Sequence, residues 1–214
     1  MPSLPIVVCA VAVLGLLVAE SRGSQRGVWL AKPLASAAFL WVALASGALD
    51  SIYGRWILLG LVLCMAGDVL LIPRERPSVF RAGVLAFLLG HVAYGVGFLT
   101  QPLGPWGLVF AGVVLLVSLW VTWRWLATSL PADMVGPVRA YLLVIGVMAT
   151  LACGVSAGGG PLAVAVGALA FTASDVSVAR DRFVRHEFVN RAWGLPLYYA
   201  AQVLLALTPA WIGK

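Results

Sequence analysis

The feature that most constrains this fold is a series of apolar runs, each long enough to cross a lipid bilayer, that recur along the whole chain. Of the 214 residues, 62% are hydrophobic and only 10% are charged, against about 25% charged in an ordinary soluble domain. A soluble fold of this length has too little interior to bury so much apolar surface. The sequence therefore predicts an all-α, polytopic membrane helical bundle that forms a single domain over residues 1–214.

Glycine, proline and charged residues separate eight apolar runs, and each run predicts one transmembrane helix. The first run has no basic residues before it and ends at VAESRG, a poor cleavage sequence, so we expect it to be retained rather than removed as a signal peptide. The predicted spans cover residues 4–19, 34–49, 56–72, 79–99, 107–126, 138–156, 161–179 and 194–212.

Basic residues are distributed unevenly over the predicted connections, and this predicts the orientation. Twelve of the fourteen Lys and Arg residues fall in the odd-numbered connections, so by the positive-inside rule these face the cytoplasm and both termini lie outside. The net charge of +6 therefore indicates topology rather than nucleic-acid binding. The odd connections hold Arg22, Arg26, Lys32, Arg74, Arg76, Arg81, Arg124, Arg139, Arg180, Arg182, Arg185 and Arg191, and the even side holds Arg55 and Lys214.

Two aspartates interrupt the apolar runs at nearly the same predicted depth. Asp68, in LVLCMAGDVLLIP, lies six residues before Arg74, which is about 9 Å of helix. Asp175, in FTASDVSVAR, lies five residues before Arg180, or about 8 Å, on a helix that runs the same way. A carboxylate within a span opposes insertion by roughly 3 kcal/mol, so each aspartate needs polar partners.

The other polar residues of the spans fall in the predicted cytoplasmic half or near the midplane. His91 lies about 15 Å beyond Arg81, with Tyr94 on the same helical face. We expect these residues to share one polar pocket that opens toward the cytoplasmic leaflet, since buried carboxylates require hydrogen-bond donors. The expected members are Asp68, His91, Tyr94, Tyr141, Asp175, Tyr198 and Gln202, with Ser174 behind them and Lys32, in AKPL at the start of helix two, at the mouth.

Three other interpretations of these residues stay open at this point. The aspartates could anchor helix ends near the interface, or they could form a proton relay with His91 in a proton-coupled transporter. The outer halves of the spans are nearly all Ala, Val, Leu and Gly, which disfavours a transport path. Two aspartates and one histidine are also a plausible metal-ligand set.

Several short motifs occur together in a characteristic order. AGDVLL, GHVAYGVGF, AFTASD and YYAAQVLL, preceded by KPL, resemble the YhhN-like lysoplasmalogenase family, and the resemblance extends from Lys32 to about Leu205. It implies an integral-membrane hydrolase that cleaves the vinyl ether bond at the sn-1 position of lysoplasmalogens. The products would be a fatty aldehyde and glycerophosphoethanolamine or glycerophosphocholine, and another lipid-modifying membrane enzyme is the alternative. The expected partners are lysophospholipid substrate and membrane lipids, without nucleic acid.

Vinyl ether hydrolysis is a reaction that two carboxyl groups can divide between them. It needs a proton at the β-carbon and then water at the resulting oxocarbenium-like cation, so one acid and one anion suffice, without cofactor or metal. We hypothesise that Asp68 and Asp175 are this pair and that His91 orients water or relays a proton. The hydroxyl and amide groups would hold the carboxyls and the glycerol oxygens. The Ala, Val, Gly and Arg-rich composition suggests a bacterial inner membrane.

Overall fold

The computed structural model describes residues 2–73 and 75–212, and eight long helices account for most of them. Within these ranges there is no β-strand. Two short 3₁₀ turns join α5 to α6, a π-helical turn (Arg180–Val184) follows α7, and a short α9 (Pro209–Ile212) follows α8. The long helices are α1 (Ser3–Ser21), α2 (Gln25–Ala45), α3 (Ile52–Leu70), α4 (Pro77–Leu99), α5 (Pro105–Leu126), α6 (Val135–Ala157), α7 (Leu162–Ala179) and α8 (Phe188–Leu207).

All eight long helices are long and apolar enough to cross a membrane. Large apolar side chains cover the outside of the bundle, among them Trp106, Phe110 and Leu116, which are 84%, 75% and 71% exposed. Such an exterior is stable in lipid and not in water. The prediction of an all-α membrane bundle with eight spans is confirmed, and the chain is an integral membrane protein.

Consecutive helices pack as four hairpins, α1 with α2, α3 with α4, α5 with α6, and α7 with α8. Helix α8 also packs against α1, α2 and α3, and α4 packs against α6. The α3–α4 pair is especially close, because a Cβ atom at Gly60 would lie 2.4 Å from the ring of Tyr94, and one at Gly67 would lie 2.6 Å from the ring of Phe87. This contact places α3, and with it Asp68, deep in the bundle.

Two predicted spans begin later in the sequence than the corresponding helices of the structure. Helix α2 was expected over 34–49 but begins at Gln25, where the side chain of Ser24 accepts a hydrogen bond from Gly27 N (3.3 Å). Lys32 and Pro33 therefore lie inside α2, and the helix tolerates Pro33 because neighbouring groups can satisfy the freed carbonyl. Helix α8 was expected from residue 194 but begins at Phe188. Of the topology markers, Arg74 and Lys214 lie outside the described residues.

Candidate active site

A cavity of about 650 Å³ lies within the bundle, and every long helix contributes residues to its lining. Its walls are mostly apolar, with Phe87, Leu119 and Ile145 among them. One end reaches the charged groups at the start of α8 and the π-helical turn. Of the nine residues that the sequence placed at the pocket, six line this cavity, namely Lys32, Asp68, Tyr141, Ser174, Asp175 and Tyr198.

Asp68 is the most enclosed charged residue of the cavity, with 2% exposure. Its Oδ1 lies 3.3 Å from Nζ of Lys32, and its Oδ2 accepts hydrogen bonds from Tyr198 (2.7 Å) and Ser36 (2.8 Å). These three donors come from α2 and α8, the helices that pack on either side of α3. They compensate the cost of placing a carboxylate inside an apolar span.

Lys32 lies deeper than its expected place at the pocket mouth. Because α2 begins at Gln25, nine residues before its expected start, Lys32 lies in the third turn of the helix, where its side chain is 12% exposed and paired with Asp68. The hydroxyl of Tyr199 donates to the backbone carbonyl of Lys32 (3.3 Å), and Ser36 lies one turn further along α2. The sequence missed Ser36 and Tyr199, although the four-residue spacing of Lys32 and Ser36 places them on one helical face.

Asp175 forms a second polar cluster with residues of α4 and α6. Its Oδ2 accepts a hydrogen bond from the hydroxyl of Tyr141 (2.9 Å) and lies 3.4 Å from Nε2 of His91. His91 is 1% exposed, and its Nδ1 lies 2.7 Å from the backbone carbonyl oxygen of Phe87. The imidazole ring stacks on Phe171 with the ring centres 4.3 Å apart, which fixes its orientation.

Aromatic side chains separate the two carboxyl clusters. Phe171 stacks on His91 on one side and meets the edge of Tyr198 on the other, with ring centres 5.4 Å apart. Phe87 contacts both Phe171 (6.3 Å) and Tyr198 (5.9 Å). Asp68 and Asp175 share no hydrogen-bond partner among the described residues, and both line the same cavity. The two carboxyl clusters therefore lie at different places on the wall of one cavity.

Three of the expected site residues do not line the cavity: His91, which lies behind Asp175, and the pair Tyr94 and Gln202. The hydroxyl of Tyr94 of α4 donates to Oε1 of Gln202 of α8 (2.6 Å), and both side chains are fully buried. The hydrogen bonds of Asp68 and Asp175 come from other side chains. Ser174 lines the cavity but donates to the backbone carbonyl of Phe171 (2.7 Å), one turn earlier in α7.

A network of charged residues forms the rim of the cavity. Arg191 of α8 pairs with Glu20 at the end of α1 (3.0 Å) and with Asp181 of the π-helical turn (2.9 Å). The side chain of Asn190 contacts Arg180, and Arg182 lies 4.2 Å above the ring of Phe80. These contacts join four chain segments at one end of the cavity, namely α1, α4, the π-helical turn and α8, and the early start of α8 places Arg191 within that helix.

The two aspartates and His91 do not form one ligand set. Within residues 2–73 and 75–212, no three His, Cys, Asp or Glu side chains are grouped closely enough to hold a metal ion. Cys9 and Cys64 are buried, and Cys153 is partly buried.

Comparison with known proteins gives consistent matches over most of the chain. The model of the YhhN family matches residues 27–208. The lysoplasmalogenase TMEM86B of Homo sapiens is 36% identical over 179 residues, which are 82% of this chain and 70% of that protein. The lysoplasmalogenase TMEM86A of Bos taurus is 32% identical over 158 residues, which are 71% of this chain and, at 64%, just under two thirds of the bovine protein. No solved structure matches the chain.

Proposed function

This chain belongs to the YhhN family, and from that premise we propose that it is a membrane-embedded lysoplasmalogenase. It would hydrolyse the vinyl ether bond at the sn-1 position of a lysoplasmalogen and release a fatty aldehyde and a glycerophospho-headgroup. The observation that carries the proposal is the placement of two carboxyl groups, Asp68 and Asp175, on one largely apolar cavity. The relatives named as lysoplasmalogenases support the choice of substrate.

The cavity suits the two halves of such a substrate. Its apolar walls would take the alkenyl chain, and the charged rim at its end would contact the polar headgroup. We propose that the aspartates divide the acid and base roles between them. Tyr141 and Tyr198 would hold the two carboxyls, each by the hydrogen bond it donates, and Tyr94 with Gln202 would only support the packing behind them.

Residues 1–214 act as one helical domain in this proposal, because all eight long helices contribute to the cavity. The basic residues around the rim support an orientation in which the cavity opens toward the cytoplasmic half of the membrane and both termini lie outside. The membrane would be the inner membrane of a bacterium. Lipid would then enter the cavity from the cytoplasmic leaflet.

The test is an assay of the purified protein in detergent, with release of fatty aldehyde from a lysoplasmalogen as the readout. A lysolipid with a saturated ether at sn-1 is the matched substrate control, because it lacks the double bond that must be protonated. Asp68→Asn and Asp175→Asn should each lower turnover by about 10²-fold or more, while Asp133→Asn, at an exposed carboxyl, should not. Proton or solute flux in proteoliposomes without lipid turnover would instead identify a transporter.

A further inference from the structure

We propose that the two carboxyl groups have different roles: Asp175, supported by His91, delivers the proton to the substrate, and Asp68, held by Lys32, is the anionic partner. This assignment rests on the proposed vinyl ether hydrolysis. It follows from the hydrogen-bond donors and acceptors around each carboxyl group, which differ sharply between the two clusters.

The neighbours of His91 determine which of its ring nitrogens carries a proton. Its Nδ1 lies 2.7 Å from the carbonyl oxygen of Phe87, and a carbonyl oxygen can only accept a hydrogen bond, so Nδ1 carries a proton. Stacking against Phe171, with ring centres 4.3 Å apart, and the edge contact with Tyr141 hold the ring in this orientation. In a neutral ring, Nε2 is therefore an acceptor that points toward Asp175.

Nε2 of His91 and Oδ2 of Asp175 face each other without a hydrogen bond between them. Nε2 of His91 lies 3.4 Å from Oδ2 of Asp175 and makes no hydrogen bond within the described part of the chain. Two unprotonated acceptors facing each other at this distance would repel in apolar surroundings, so one of the two groups must carry a proton. The Tyr141 hydroxyl already donates to the same oxygen, so it does not remove the need for this proton.

The position of Asp175 makes this proton available to a substrate. Its side chain is 17% exposed and lines the cavity, whereas His91 is buried behind it and does not. His91 is therefore a positioning residue that supports the acid from behind. Asp175 is the group that would touch the reacting carbon.

Asp68, unlike Asp175, faces no unprotonated ring nitrogen in the described part of the chain and is surrounded by hydrogen-bond donors. Among the described residues, each contact of its carboxyl group is with a donor, namely the Lys32 ammonium at 3.3 Å or the hydroxyls of Ser36 and Tyr198. Burial of this carboxyl opposes its charged form, and the ammonium and the two hydroxyls counter that effect, because donors favour the carboxylate over the carboxylic acid. A largely buried ammonium in turn needs a counter-ion, and Asp68 supplies it. Asp68 thus presents a fixed negative charge to the cavity, on the other side of the Phe171 and Phe87 rings from Asp175.

The two roles give a balanced reaction. Asp175 gives its proton to the β-carbon of the vinyl ether, whose π electrons form the new C–H bond, and the cation develops at the α-carbon and ether oxygen opposite Asp68. Water adds to the α-carbon and gives a proton to Asp68, forming a hemiacetal. The α-carbon–oxygen bond then breaks as Asp68 returns that proton to the glycerol oxygen and the hemiacetal hydroxyl gives its proton to Asp175. Aldehyde and alcohol leave, and both carboxyls regain their starting states.

The protonation of His91 can be measured without any substrate. The chain contains two histidines, His91 and His186, so ¹⁵N-histidine labelling gives few nitrogen resonances, and His186→Gln assigns them. We expect Nδ1 of His91 to be protonated in the wild type, and its Nε2 resonance to move in Asp175→Asn but not in the matched Asp68→Asn variant. An unprotonated Nδ1, or an Nε2 resonance that Asp175→Asn leaves in place, would overturn the assignment.

Chemical rescue separates the two carboxyl roles by activity. Asp175→Ala and Asp68→Ala should each lower kcat by about 10³-fold, and added formate at several pH values should restore about ten-fold in each. The rate of Asp175→Ala should follow the concentration of undissociated formic acid, and that of Asp68→Ala the concentration of formate anion. The reverse pattern overturns the assignment. If the wild type releases no aldehyde from lysoplasmalogen, the proposed hydrolysis fails, and the NMR result still decides where the proton is held.

Discussion

Asp68 and Lys32 form a charged pair inside the bundle, with their side chains 3% and 12% exposed. Removing one member of such a pair leaves an uncompensated charge in an apolar environment, which costs about 3 kcal/mol or more. We therefore expect Lys32→Met to lower the thermal unfolding midpoint in detergent markedly. The double variant Lys32→Met with Asp68→Asn should recover most of that loss, because no buried charge remains.

The aldehyde assay separates the role of Asp68 and Lys32 in catalysis from their contribution to stability. The double variant should be folded but nearly inactive toward lysoplasmalogen, since the anion is gone. If Lys32→Met alone unfolded at the wild-type temperature, the 3.3 Å contact would not be an ion pair that the fold depends on. The comparison needs only thermal scans and the aldehyde assay.

Tyr198 and Tyr199 are adjacent in sequence and provide a matched comparison. The hydroxyl of Tyr198 donates to Oδ2 of Asp68 at 2.7 Å, and Tyr198 lines the cavity, whereas the hydroxyl of Tyr199 donates to the Lys32 carbonyl at 3.3 Å, away from the cavity. We expect Tyr198→Phe to lower kcat by about 10- to 100-fold, through loss of a hydrogen bond to a charged group worth roughly 1.5–3 kcal/mol. Tyr199→Phe should change kcat by less than about three-fold. Equal losses in the two variants would contradict this difference.

Counting residues along a helix predicts how far along it a polar group lies, and gives no information on how the helices rotate and cross. It predicted similar depths for Asp68 and Asp175, and both line one cavity. It could not tell that Tyr94 of α4 bonds to Gln202 of α8, because that depends on the rotation and crossing of helices. Ser36 was missed because a single serine in an apolar helix gives no signal until its neighbour across the interface is known.

The packing of α3 on α4 depends on the absence of a side chain at Gly60. A Cβ atom there would lie 2.4 Å from the ring of Tyr94, which is fully buried and hydrogen-bonded to Gln202. We expect Gly60→Ala to destabilise the protein by about 1–3 kcal/mol through overpacking. Gly15→Ala in α1 is the control, because nothing lies within 4 Å of the added atom.

The measurement is the thermal unfolding midpoint of the two variants in the same detergent. Gly60→Ala should unfold at a clearly lower temperature than the wild type, and Gly15→Ala at the same temperature or slightly above it, because alanine favours the helix. Equal midpoints for the two variants would show that α3 and α4 can separate without cost. The aldehyde assay should follow stability in Gly60→Ala, since neither Gly60 nor Tyr94 lines the cavity.

Hydropathy predicted all eight long helices but misplaced two of their starts. Charged residues and proline near the starts of α2 and α8 were interpreted as loop residues, yet Lys32 and Arg191 lie inside these helices. Each of these side chains has an acidic partner on another helix, Asp68 for Lys32 and Glu20 for Arg191. Hydropathy alone does not predict these partners, and so it assigned both residues to loops.

The bundle as a whole has a polar interior at one end and an apolar exterior. The carboxyls of Asp68 and Asp175 and the rim pairs of Arg191 all line the same cavity. In the other half, Tyr53 and Thr208 form a closed hydrogen-bonded pair at 2.7 Å, and both are buried. This asymmetry favours a site entered from one face of the membrane over a path that crosses it.

The orientation of the bundle is tested by labelling the two ends of one helix. Thr100 precedes α5 and Ser129 follows it, and both are exposed. Single cysteines at these positions would be made in a background without Cys9, Cys64 and Cys153. By the positive-inside rule, a membrane-impermeant maleimide should label Thr100→Cys in intact cells and Ser129→Cys only after the cells are permeabilised.

The reverse labelling would place the basic rim outside and open the cavity toward the outer leaflet. The carboxyl geometry would be unchanged, so hydrolysis in detergent would still be expected, but the lipid pool that the protein reaches would be the opposite one. Labelling of both cysteines in intact cells would indicate mixed insertion, which twelve of fourteen Lys and Arg residues on one side should prevent. The combined assays therefore determine separately what the cavity does and from which side of the membrane it is entered.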